Sequence, residues 1–340
     1  MKKLPRFKNA LRKVREGSKL HVLLGNGFSR ACRDDIFAYG ALFERADFTS
    51  LSRFARKTFS VLETTDFEVV MRALRHASTL LGLYETSDPD IADQLRRDAQ
   101  GLREVLVSAI AGSHPGLPAD VPLEAYASCK RFLSHFDKIF TVNYDLLLYW
   151  ALMQEEIAPA VQCDDGFRTP QEGPAEYVTW EPDLSYDQNV YYLHGALHLF
   201  DAGAELQKYT WVNTGIPLIQ QVRAALEANL YPLFVAEGES AQKLERIRHS
   251  AYLAKAHRSF VASTGALLTY GHSFSDSDSH ILNEIVKGKF SQLLVGIYGD
   301  PGSRRNRALM TRASALAAQR PSRKPLEVLF YDAESAAPWA

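Results

Sequence analysis

Cysteine is scarce in this chain. Its 340 residues include three, Cys32, Cys129 and Cys163, far apart and with no C-x-x-C pair. An odd, scattered set supports neither a disulfide framework nor a cysteine zinc ribbon, and it suits a reducing cytoplasm. Long apolar runs are missing too: none approaches the ~20 residues that a membrane span needs. The basic start is not followed by the apolar stretch of a secretory signal. Nor is there an excess of charge of one sign. Thirty-nine Lys and Arg meet 40 Asp and Glu, for a net charge of -1. No global basic field is available to hold nucleic acid or an anionic membrane. Internal repeats and low-complexity segments are absent. What is there, 46% hydrophobic and 23% charged residues, is ordinary globular composition. The length allows one large domain with insertions or two smaller ones.

At the start, Lys2, Lys3, Arg6, Lys8, Arg12, Lys13 and Arg15 alternate with Leu4, Phe7, Ala10, Leu11 and Val14. This predicts an amphipathic helix with a solvated basic face. Further on, six apolar runs read as strands, at roughly 20–25, 138–142, 190–194, 265–271, 292–298 and 326–331. Helical patterns separate them. The expectation is an α/β fold, a Rossmann-like, mostly parallel six-stranded sheet covered on both faces. The stretch from about 36 to 135 holds no convincing strand and reads as a helical insertion between the first two. Within it Phe67, Val70, Met71, Leu74 and Ala77 share one helix face, and Asp88-Pro89-Asp90 suits the start of another helix. The stretch 160–189, rich in Pro, Gly and Asp, reads as an irregular loop or small hairpin. Helix returns over 215–262, with Ser240 as a candidate N-cap.

The strand ends carry the chemistry. In open α/β sheets, ligands bind just beyond the carboxyl ends of the strands. Gly25-Asn26-Gly27-Phe28-Ser29 follows the first strand, where glycines let backbone approach a diphosphate and a helix N-terminus offers free N–H groups. The plain alternative is a tight strand-to-helix turn, since the third glycine of the dinucleotide fingerprint is absent. Asn143 follows Ile139-Phe140-Thr141-Val142. Its amide could hold a ribose hydroxyl or a water, or bond its own backbone as a turn former. Asp145 is either a helix-start acid or its supporting partner. His194-Gly195 ends the third strand. Histidine serves as a base near neutral pH, and the glycine leaves room for a ligand; a structural role is the alternative. His198 would point elsewhere. After the fourth strand, Gly271 and Ser273 could face a phosphate or ribose, while Asp276 or Asp278 could cap the next helix. Asp300, after the fifth strand, could accept from ribose hydroxyls or form a simple Asp-Pro-Gly turn.

This ordered set resembles the sirtuin-like superfamily. Gly25-Asn26-Gly27-Phe28-Ser29 looks like its Gly-Ala-Gly-x-Ser loop, Thr141-Val142-Asn143-Tyr144-Asp145 like its Thr-x-Asn-x-Asp motif, Leu193-His194-Gly195 like its catalytic His-Gly, and Gly271-His272-Ser273 like its later Gly-x-Ser. The closer resemblance is to a prokaryotic sirtuin-like branch long known only as a domain of unknown function. It is carried by Phe67-Glu68, by Phe234-Val235-Ala236-Glu237-Gly238 with Lys243-Leu244 and Arg246-Ile247, and by Gly271 through Asp278 with Ile281. The chain departs from the deacylases in lacking four zinc cysteines and the Pro-Asp-Phe-Arg segment, and in having Val142 where they carry Gln.

The resemblance therefore implies NAD⁺ as substrate, with no zinc or other metal. The activity implied is that of an NAD⁺ glycohydrolase of the kind found in bacterial anti-phage systems, acting in the cytoplasm as a homo-oligomer or with a defence partner protein, without direct contact to nucleic acid or membrane. A non-catalytic sensor of NAD or an ADP-ribose derivative is the alternative, and a deacylase or ADP-ribosyltransferase is a third reading that the missing ribbon disfavours. By the same resemblance Asn143 would position the nicotinamide ribose and water, and His194 would be general base. Gly25, Asn26, Gly27, Phe28 and Ser29 would hold the diphosphate. Gly271, Ser273 and Asp300 would contact the adenosine side, and Asp145 and Glu68 would orient the others.

Overall fold

A computed structural model of the chain describes residues 3–83, 90–170, 177–184, 187–203, 205–210, 214–228, 230–235 and 240–340. In chain order the elements are α1 (Phe7–Leu11), β1 (Leu20–Leu24), α2 (Gly27–Phe37), α3 (Tyr39–Arg45), α4 (Arg53–Val61), α5 (Phe67–Leu81), α6 (Asp90–Ser113), α7 (Leu123–Leu133), β2 (Lys138–Thr141) and α8 (Leu147–Leu152). Then come β3 (Phe167–Arg168), β4 (Tyr177–Trp180), β5 (Val190–Tyr192), β6 (Leu199–Asp201), β7 (Leu206–Tyr209), α9 (Leu218–Glu227), α10 (Ser240–His249), α11 (Ala251–Ala262), β8 (Thr264–Tyr270), α12 (Ser279–Lys287), β9 (Lys289–Ile297), α13 (Arg304–Ala318) and β10 (Glu327–Asp332).

The large sheet runs in the order β10-β9-β8-β1-β2-β5, and all its pairings are parallel. Strands buried on both faces read as unbroken apolar runs, which is why Val22, Leu23 and Leu24 are all fully buried. Alternate residues feed separate cores. Val22, Leu24, Ile139, Leu268 and Leu294 share a cluster with α5, α6 and α7. Leu23, Phe140, Leu267, Leu293 and Val295 face Phe260 of α11, Ile281 and Ile285 of α12, and Ala313 of α13.

Helices α2 to α7 all lie between β1 and β2 in the chain. Asp66 caps α5 by accepting from Glu68 N and Val69 N. The buried face of α5 is Phe67, Val70, Met71, Leu74 and Ser78. Ser78 is buried where Ala77 was expected, and its hydroxyl donates to Ala92 O at 2.7 Å. Among the described residues, no helix is long and apolar enough to cross a membrane.

Two details differ from expectation. The basic N-terminal helix is confined to Phe7–Leu11, with Phe7 and Ala10 buried. Within 160–189, β3 and β4 pair antiparallel as a small hairpin, and strands from 199–209 that the sequence pattern did not announce extend it to a four-stranded sheet, order β3-β4-β7-β6. Strands of two to four residues are too short to show an alternation. Asp88-Pro89 and Ala236-Glu237-Gly238 lie outside the described residues.

The chain leaves β1 toward β2 on one side, while β8, on the other side of β1, continues outward to β9. Adjacent strands whose connections diverge open a crevice at their carboxyl ends. Here that crevice lies between the loops after β1 and β8. The two loops touch: Gly25 N donates to Tyr270 O at 2.9 Å and Gly27 N to Gly271 O at 3.0 Å. A Cβ on Gly27 would lie 2.5 Å from Gly271 Cα, so the contact admits no side chain.

Candidate active site

A cavity of about 740 Å³ occupies this crevice. Gly25, Asn26, Gly27, Asn143, Asp145, His194, Gly271, Ser273 and Asp300 all line it, so residues from five strand ends meet in one place. A depression of about 810 Å³ between Arg33, Arg45, Glu104 and Tyr231 lies away from the strand ends and gathers none of these residues.

Asn143 is nine-tenths buried and rigidly held. Its backbone N donates to Thr141 Oγ1 at 3.0 Å, and its Nδ2 donates to Gly25 O at 3.1 Å and Ser29 Oγ at 2.9 Å. Both amide hydrogens are thus committed across the crevice, and the acceptor Oδ1 is left for the cavity. The side chain does not bond its own backbone as a turn former would. Ser29 Oγ in turn donates to Asp145 Oδ2 at 2.5 Å, and Asp145 Oδ1 accepts from Leu147 N at 2.9 Å. Burial holds the Asp145 carboxyl above the usual carboxylate range, against the pull of Ser29 and Leu147.

This corrects several roles. Ser29 is fully buried, and its hydroxyl serves Asn143 and Asp145 rather than a diphosphate. Asp145 lines the cavity and supports Asn143 through Ser29. Phe28 faces the core, with its ring 5.1 Å from that of Trp339, whose Nε1 donates to Phe28 O at 2.9 Å. The loop is also a poorer ring of donors than expected. Gly25 N, Gly27 N and Phe28 N donate to Tyr270 O, Gly271 O and Gly25 O. The amide of Asn26 donates to Phe37 O at 3.1 Å, which ties the loop to the far end of α2.

His194 follows β5 and is 2% exposed. Its carbonyl accepts from Val235 N at 2.8 Å. The turn behind it requires Gly195: φ is +80°, and a Cβ would fall 1.9 Å from Leu233 O. The glycine therefore makes room for backbone, not for a ligand as expected. His194 Nε2 lies 2.9 Å from His280 Nε2. Burial, then the neighbouring His280, push the His194 imidazole well below its ordinary value; burial pushes His280 down to about 3, against the pull of Asp278. Both rings are neutral at pH 7. His198 is fully buried between Tyr149 and Tyr192, away from the cavity.

The inner end of the cavity holds groups that local sequence patterns missed. Lys243 is fully buried, with Nζ 2.8 Å from Glu68 Oε2 and 3.8 Å from Asp278 Oδ1. Burial alone would lower this ammonium, but Glu68 and Asp278 raise it, so Lys243 stays charged. Asp278 sits at the N-cap position of α12 and makes no side-chain cap bond; the carboxylate turns to Lys243 and to His272 Nε2, 3.3 Å away. Although burial opposes it, this setting, His272 first, holds Asp278 well below the usual range. His272 Nδ1 accepts from Phe274 N at 3.0 Å. That fixes the proton on Nε2, the side facing Asp278. Asp66, Glu68 and Asp278 line this end, so among the described residues three carboxylates face the one ammonium of Lys243.

The outer rim differs. Asp300 is exposed and accepts from Gly302 N at 2.8 Å, in the simple turn that was its alternative reading. Around it stand Tyr298, 69% exposed, and the exposed Arg305 and Arg312 of α13. Ser273 is exposed in the cavity wall. One end is thus acidic and half-buried, the other basic and open.

Donor atoms of His194, Asp278 and His280 lie within 4.8 Å of one another. The two imidazoles meet tip to tip, with ring centroids 5.0 Å apart. Their lone pairs aim at each other and not at a common centre, and Lys243 already brings a positive charge to Asp278. The arrangement favours a shared proton over a metal ion.

Residues 22–339 match the family model described as Domain of unknown function (DUF4917), and the chain belongs to that family. No curated protein matches it.

Proposed function

We propose that this member of the DUF4917 family is an NAD⁺ glycohydrolase, with a resemblance-based place in bacterial anti-phage defence. The observation that carries the reading is the two-ended cavity with Asn143 and His194 at its acidic end. NAD⁺ has matching polarity: a cationic nicotinamide riboside, a central diphosphate and an adenosine beyond it. The acidic end would receive the pyridinium and favour the oxocarbenium-like charge that develops at C1′. The diphosphate would cross the loops at Gly25–Gly27 and Gly271, and the adenosine would reach Tyr298, Asp300, Arg305 and Arg312.

The bond between C1′ and the pyridinium nitrogen breaks with its electron pair going to nicotinamide, which leaves neutral and needs no acid. Asn143 Oδ1 accepts from the attacking water or a ribose hydroxyl. His194 takes the water's proton as the new C1′–O bond forms. General-base assistance of this kind contributes about 10²–10⁴-fold. Asp145 and Ser29 keep the Asn143 amide in one orientation.

The test follows nicotinamide and ADP-ribose during incubation of the purified chain with NAD⁺. Release is expected from the wild type, falling by about 10²-fold or more in Asn143→Ala and His194→Ala. Release that survives in both variants would defeat the assignment. Binding of NAD⁺ without release would establish a sensor instead.

A further inference from the structure

We infer that His280 is a positioning residue for His194: it holds the ring by Nε2 and receives the positive charge when the cavity side of His194 takes a proton. This rests on the hydrolytic reading above.

The pair joins residues 86 positions apart, from the turn after β5 and from α12. Both side chains are 2% exposed, and the rings are 25° from coplanar. Two imidazole nitrogens at 2.9 Å must share one proton. The remaining nitrogens differ. Nδ1 of His194 makes no hydrogen bond among the described residues and belongs to a side chain that lines the cavity. Nδ1 of His280 is buried without a partner among the described residues.

Two tautomer arrangements follow. If His280 donates, His194 carries its proton on Nδ1 and faces the cavity as a donor, unable to act as a base. If His194 donates through Nε2, its Nδ1 offers a lone pair to the cavity, and His280 carries its own proton on Nδ1. Only the second arrangement can take a proton from water. In that step a water O–H proton goes to His194 Nδ1, and the Nε2 proton passes to His280 Nε2. The water oxygen bonds C1′, and the C1′–N pair leaves with nicotinamide. The positive charge lost by the pyridinium reappears on His280, now protonated at both nitrogens.

His280 is the better seat for that charge. Asp278, two residues before it, offers a carboxylate oxygen within 4.8 Å. Lys243, His257 and His272 also face His280 and oppose the charge, but Asp278 is the dominant neighbour. On His194 the charge would stand directly beside the developing oxocarbenium. Passing it one ring outward separates the two cations.

The experiment uses the full chain with ¹⁵N-labelled histidine. The expected result is a scalar coupling between the two Nε2 atoms and an unprotonated His194 Nδ1. In parallel, kcat, KM and their pH profiles are measured for His280→Gln and His280→Leu. Gln reaches the Nε2 position and accepts from His194 but cannot take a proton. It should hold KM within about threefold, lower kcat on the order of tenfold and shift the acidic limb of the kcat profile. Leu removes the partner, and kcat should fall on the order of 10²-fold. Unchanged kcat and pH limb in both variants would overturn the inference, as would zinc-dependent activity with no Nε2–Nε2 coupling. Coupling in a wild type that releases no nicotinamide refutes hydrolysis and supports the pairing. Release without coupling refutes the pairing and spares hydrolysis.

Discussion

Asn143 owes its precision to partners more than a hundred residues away. Ser29 Oγ accepts from its Nδ2 and donates to Asp145, so removing that one hydroxyl loosens both. Ser29→Ala should cost about 1–3 kcal/mol, the range for leaving buried polar groups unpaired. It should lower kcat more than it raises KM, because the amide loses its fixed direction. Urea melts and steady-state kinetics on the same preparation separate the two effects. Lys243 makes a sharper case. Among the described residues it is the one ammonium facing Glu68 and Asp278, and Lys243→Met leaves two half-buried carboxylates without a counter-charge. Breaking a buried pair costs about 3–5 kcal/mol. Adding Glu68→Gln to Lys243→Met should recover part of that loss in denaturant melts; no recovery would mean that Glu68 does not depend on the lysine.

At the scale of elements, the crevice depends on two loops lying backbone to backbone. Gly271 has φ +68°, and a Cβ there would come within 2.4 Å of Gly27 Cα. Gly271→Ala therefore strains its own backbone and forces the loops after β1 and β8 apart. A loss of about 1–3 kcal/mol or more is expected in thermal melts, together with weaker nucleotide binding. The same scale shows what the sequence made legible. The six strands of the large sheet stood out because residues such as Val22 to Leu24 and Leu267 to Thr269 are buried on both faces and leave continuous apolar runs. Asn143 and His194 stood out because they end such runs. The small sheet did not, since β3, β4, β6 and β7 are short and irregularly patterned. His280 and Lys243 carried no local signal: each is one polar residue on an amphipathic helix, and only the packing of α12 and α10 against the crevice brings them to it. Asp278 looked like a helix cap because its position is one; nothing local says that its side chain turns away to Lys243.

The molecule as a whole stores several histidines in neutral form, and this sets its response to acid. Burial lowers His114 to about 4 and His280 to about 3. A histidine whose folded value lies below its unfolded one of about 6.5 binds protons more readily when unfolded. Its contribution is complete above about pH 6.5 and is lost as pH falls toward the folded value. Each such group should cost about 1.4 kcal/mol per pH unit within that window. Urea midpoints should drop steeply from pH 6.5 to 4.5, and less steeply in His114→Gln. A flat profile would contradict the buried neutral state. The opposed charges of the cavity make a second global prediction: Arg305→Ala with Arg312→Ala should raise KM for NAD⁺ with little change in kcat, and the effect should shrink with added salt.

The position of a nucleotide in this cavity decides whether the proposed activity is right. A crystal of the chain soaked with ADP-ribose measures it directly. The prediction is a distal ribose whose C1′ faces Asn143 Oδ1 and His194 Nδ1, a diphosphate over Gly25, Gly27 and Gly271, and an adenosine against Tyr298 and Asp300. A nucleotide bound in the reverse direction, or none between Gly25 and His194 at saturating ADP-ribose, would contradict it.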